Sequence, residues 1–117
     1  MITEKVINSL YKKYRNRPKT PDELDIALLF ENLIENHDIS IDDEAHLIIN
    51  SLPPSSPFHR IALSRIHAIV EFEHKIAIVM HSSIIFLNKK DSQVNIHIKP
   101  IIPTLADRLF GKLRREE

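Results

Sequence analysis

Residues 66–99, IHAIVEFEHKIAIVMHSSIIFLNKKDSQVNIHIK, decide the fold. Apolar residues recur there with a period of two, the spacing that lines one face of a strand. Ile66, Ala68, Val70 and Phe72 begin the series, Ile76, Ile78 and Met80 continue it, Ile84 and Phe86 follow, and Val94, Ile96 and Ile98 close it. All carry even numbers. A three-residue loop at Glu73-His74-Lys75 then pairs Phe72 with Ile76 and Val70 with Ile78. His81-Ser82-Ser83 makes a second such turn, with Met80 opposite Ile84 and Ile78 opposite Phe86; one unbroken strand over 76–87 would be about twice the mean length. A loop near 89–93 pairs Phe86 with Ile96 and Ile84 with Ile98. These pairings predict an antiparallel meander with one core face. Part of the odd set, Ile69, Ala77, Val79, Ile85 and Leu87, is apolar too. Helices are therefore expected on one sheet face, with the other partly covered or used for association.

Outward from this segment, the chain opens with a helical stripe of Val6, Ile7, Leu10, Tyr11 and Tyr14, capped by Thr3, with Ile2 and Ile7 placed as a hydrophobic staple. TPDE at 20–23 marks a second helix: Thr20 as cap, Pro21 at the first helical position, Glu23 closing a capping box. It should run to Asn36, and the short link from Arg15 to Lys19 predicts an antiparallel helical hairpin over 1–37. Residues 38–60 read as an acidic and Pro-rich connection with a short strand, AHLIIN at 45–50, broken by SLPPSSP at 51–57. Residues 57–69 fit a helix capped by Ser56 or a strand, and their β-branched surroundings favour strand. The meander occupies 61–99. PTLADRLFGKLRREE, 103–117, carries Leu105, Leu109, Phe110 and Leu113 on one face and predicts a C-terminal amphipathic helix. The expected fold is thus a single α+β domain with an antiparallel β-meander of about four to six strands.

Composition limits the chemistry. With 117 residues the chain buries enough surface to fold without a disulfide or metal, and having no Cys it lacks thiolate nucleophiles and Cys-based zinc sites. A single glycine, Gly111, excludes the glycine-rich loops that cradle phosphates. No apolar run reaches the length of a membrane span, and Glu4 and Lys5 interrupt any signal core, so the expectation is a cytoplasmic protein. Net charge is zero but segregated: +5 over residues 1–19, −9 over residues 20–58 with no Lys or Arg, and +4 over 59–117. A neutral chain lacks the basic excess behind non-specific nucleic-acid binding. The acidic segment either neutralises packed basic neighbours or offers a surface to a basic partner.

Among seven histidines, His67 and His81 alone fall opposite one another in this register; two imidazoles are one ligand short of the usual catalytic zinc set. His81 and Ser83 share a strand face, as a hydrolase pair would, without a glycine-flanked elbow or an oxyanion loop. Arg15, Pro18 and Pro21 fit a polyproline ligand, although Pro21 is explained by the helix start. Asp38, Asp42, Asp43 and Glu44 resemble a solvated acidic turn more than a calcium loop. No cofactor is expected. The first expectation is a non-catalytic protein-interaction or oligomerisation module, through apolar sheet surface or the acidic residues Asp42, Asp43 and Glu44. A second is a His-based metal-binding protein or hydrolase using His67, His81 and Ser83.

The segment 60–115, a curved meander closed by an amphipathic helix, resembles in pattern a bacterial pleckstrin-homology-like domain. It departs in its N-terminal helices and in lacking a Trp in the last helix. The resemblance implies a membrane-surface or nucleic-acid-binding module; peripheral contact would then use Lys12, Lys13, Arg15 and Arg17, joined by Lys112, Arg114 and Arg115.

Overall fold

The computed structural model describes residues 2–15 and 19–98. Helix α1, Glu4–Tyr14, starts where the Thr3 hydroxyl accepts the Val6 N–H at 3.4 Å, and Ile2 and Ile7 pack into the same apolar cluster. Helix α2, Glu23–His37, begins two residues later than the Thr20 signal suggests, because Asp22 is its cap. Asp22 accepts from the Asp25 N–H at 2.9 Å, and Asp25 returns the contact to the Asp22 N–H at 3.1 Å. A carboxylate caps better than Thr and is further favoured by the positive end of the helix dipole. With glycine confined to position 111, the left-handed residue that ends α2 is Asp38, at φ 50°.

The strands form two antiparallel sheets rather than one meander with a leading strand. β1 (Ile39–Ile41), β2 (His46–Ile49) and β3 (Arg60–Ala62) make a three-stranded sheet, so the expected connection over 38–60 carries β1, the expected short strand as β2, and the start of β3. The Pro-rich 51–57 stretch does break the chain, lying between β2 and β3. Residues 57–69 contribute β3 and then a 3-10 turn, Leu63–Arg65. β4 (Ala68–Glu71), β5 (Lys75–Val79), β6 (Ser83–Asn88) and β7 (Val94–Ile98) form the expected meander in the order β4-β5-β6-β7.

Every register in that meander is one residue away from the parity expectation. Val70 pairs with Ala77 instead of Ile78, Ile78 with Ile85 instead of Phe86, and Phe86 with Asn95 instead of Ile96. The cause lies in the turns. Phe72 bonds Lys75 across a two-residue loop, Met80 bonds Ser83 across His81-Ser82, and Asn88 bonds Gln93 across four residues. Loops of even length exchange odd for even at each turn, so one face carries Ile69, Ile76, Ile78, Ile85 and Leu87 and the other Val70, Ala77, Val79, Ile84 and Phe86. His81-Ser82-Ser83 is a turn, as expected, but Ser83 already belongs to β6.

Both faces are covered. Leu29 and Leu33 of α2 pack with Leu47, Ile49 and Ile61 of the small sheet against the first face. Leu10 and Tyr11 of α1 close the second, where Tyr11 is fully buried. The two helices therefore take opposite sides of the four-stranded sheet instead of pairing as a hairpin, because each sheet face is a larger apolar partner than the other helix. The helix expected over 103–117, with Lys112, Arg114 and Arg115, lies outside the described residues, as does Arg17.

Candidate functional site

Helix α2 has more apolar residues than its buried side uses. Leu29 and Leu33 face the core, while Leu24, Ala27, Glu31 and Ile34 follow the i, i+3, i+7, i+10 spacing of a single outward stripe. Leu24 is 73% exposed and Ile34 45%, with Ala27 and Phe30 half-buried beside them. Glu31 stands within the stripe and Glu23 and Glu35 border it, all exposed, and none forms an ion pair among the described residues. Lys19 reaches Asp22 and Asp25, at 3.7 and 3.9 Å, at the helix start only. The result is an apolar ridge with acidic borders on the outside of the molecule.

The structure brings His67 and His81 together: their ring centroids lie 6.2 Å apart at the C-terminal end of α1. His67, 7% exposed, directs Nδ1 to the Tyr14 carbonyl at 2.9 Å, and exposed His81 directs Nδ1 to the Arg15 carbonyl at 3.4 Å. A carbonyl only accepts, so both rings carry hydrogen on Nδ1. Ser83 is buried at the start of β6 and hydrogen-bonds neither ring. Among the described residues no three His, Cys, Asp or Glu side chains gather as a metal-ligand set. Lys12, Lys13 and Arg15 are exposed at the end of α1, with the Lys13 ammonium 5.3 Å from the Tyr14 ring centre.

Of the acidic turn, Asp42 and Glu44 serve the fold. Asp42 accepts from the Glu44 and His46 N–H groups at 3.0 and 2.9 Å and from Arg60 Nε at 2.9 Å, while Glu44 takes Arg60 Nη2 at 3.1 Å. Desolvation raises the Asp42 carboxyl, but the His46 N–H, the Arg60 guanidinium and the Glu44 N–H outweigh it and hold the group at about 2. His46 Nδ1 lies 3.4 Å from Asp42 and has no hydrogen-bond partner. Asp43 is exposed. Asp38 caps α2.

One polar cluster has no signature in the sequence. His37, fully buried in the last turn of α2, donates Nε2–H to the Asn88 carbonyl at 2.7 Å, and its Nδ1 accepts the Ser51 hydroxyl at 3.0 Å. Asn36 to the Lys89 carbonyl, 2.6 Å, and Asn50 to the Asp38 carbonyl, 2.7 Å, tighten the same corner. A Ser hydroxyl on an imidazole is the contact of an activated nucleophile. Here both ring nitrogens are consumed in joining α2 to the two sheets, and no substrate reaches a ring with 0% exposure.

Among the described residues no helix is long and apolar enough to cross a membrane. Comparison with protein-family models, with curated proteins and with solved structures finds no match, so the pleckstrin-homology-like pattern gains no support from them.

Proposed function

We propose that this chain is a non-catalytic, cytoplasmic protein-interaction module whose working surface is the outer face of α2, and that its partner presents a basic amphipathic helix. One observation carries the proposal: the Leu24 to Ile34 ridge is exposed on a helix whose acidic borders have no cationic partner within the described fold. An apolar stripe in this setting suits helix-against-helix recognition, and unpaired carboxylates select a cationic rim. A second copy of the chain meeting the same face would oppose Glu with Glu, since a two-fold interface places like patches together.

Calorimetric titration with a synthetic Leu/Lys amphipathic helical peptide tests this. The wild-type chain should bind it, and the variant Leu24→Ser/Ile34→Ser should bind at least about tenfold more weakly, a loss of about 1.4 kcal/mol. A peptide of the same pattern with Glu in place of Lys should not bind. Equal binding of both peptides, unchanged affinity in the variant, or sedimentation as a dimer broken by these substitutions would overturn the proposal.

A further inference from the structure

His67 and His81 are left half-explained by the fold. Their Nδ1–H groups satisfy two of the carbonyls that every helix leaves open at its C-terminus, here those of Tyr14 and Arg15. That contact also fixes the tautomer: in the neutral ring hydrogen sits on Nδ1 and the lone pair on Nε2. A backbone carbonyl receiving one imidazole nitrogen is the arrangement that orients the other toward a metal ion. Neither Nε2 has a hydrogen-bond partner among the described residues.

The spacing is compatible with a shared ion. Two imidazoles bound at about 2.1 Å to one tetrahedral ion have centroids roughly 5 Å apart, and these stand at 6.2 Å. His81 is exposed and its carbonyl contact is the longer of the two, so it is the less constrained ring of the pair. Nearly buried His67 supplies the fixed partner.

We propose that His67 and His81 form a two-imidazole site for a late first-row divalent cation of the zinc, copper and nickel class, the ions suited to imidazole ligands. The protein supplies two ligands and solvent completes the coordination. The site is therefore weak and open, filled only when free metal is raised. Its position at the end of α1 couples binding to the contact between that helix and the four-stranded sheet.

Imidazole nitrogens of the full chain are followed by NMR during titration with zinc chloride. The Nε2 signals of His67 and His81 should shift together and saturate at one zinc per chain. His81→Asn retains a donor for the Arg15 carbonyl and removes Nε2; at this exposed turn it should leave the melting temperature unchanged and abolish the zinc shift at His67. His67→Asn should abolish the shift at His81. A zinc shift at His67 that survives in His81→Asn, a shift confined to other histidines such as exposed His74, or no shift at either ring overturns the site.

Discussion

Asp42 shows how one side chain holds a turn together. Its folded-state pKa, about 2, lies below the roughly 3.9 of an unfolded Asp, so its contribution is complete above the unfolded value and fades as pH falls through the folded one. Urea midpoints of the wild type and of Asp42→Asn should differ at about pH 7 and converge between roughly pH 4 and pH 2; a constant gap would show that the carboxylate charge is irrelevant. At the other end of β1, Ser51→Ala removes the donor to Nδ1 of buried His37 and should cost about 1–3 kcal/mol, measured by the denaturant midpoint. An unchanged midpoint would mean that water replaces the hydroxyl. These two clusters differ in how far the sequence announces them. The Thr3 cap is legible because its partner lies three residues away. His37, Ser51 and Asn88 are separated by 14 and 51 residues in the chain, and only the packing of α2 between two sheets unites them.

Helix α1 lies on the second face of the four-stranded sheet. It covers Ala77, Val79, Ile84 and Phe86 through Leu10 and Tyr11, so Leu10→Ala should destabilise by about 2–5 kcal/mol and Tyr11→Ala by about 3–5. Thermal or denaturant unfolding measures both; losses well under 1 kcal/mol would place α1 off the sheet. The number and antiparallel order of the last four strands are legible from their period and turn residues, but their register is not. Along KIAIV and SIIFLN nearly every position is apolar, which is how a strand buried on both faces is written. Parity then carries no preference, and loops of two, two and four residues decide the pairing. The same near-continuous runs are what call for a second covering helix, and they separate α1 from α2. Of the three-stranded sheet, β2 is legible as AHLIIN and strand is the favoured reading around β3, while β1, at three residues, is too short to show a period, so the separate sheet is not legible.

At the scale of the molecule, charge segregation survives folding in part. Arg60 draws in Asp42 and Glu44, and Lys19 reaches Asp22 and Asp25 at the start of α2, so some of the acidic excess of 20–58 is neutralised internally. Glu23, Glu31 and Glu35 remain on the outer face of α2 beside exposed Leu24 and Ile34. The surplus of apolar positions on this helix is legible in the sequence; which of them face outward is not, since that depends on where both sheets pack. The most direct test of the interaction surface maps backbone amide shifts of the whole chain during titration with the basic amphipathic peptide. Shifts concentrated on residues 23–35, and weakened by added salt because the acidic rim is solvent-exposed, are the predicted result. Shifts centred on α1 or on β7, or none at low salt, would contradict it.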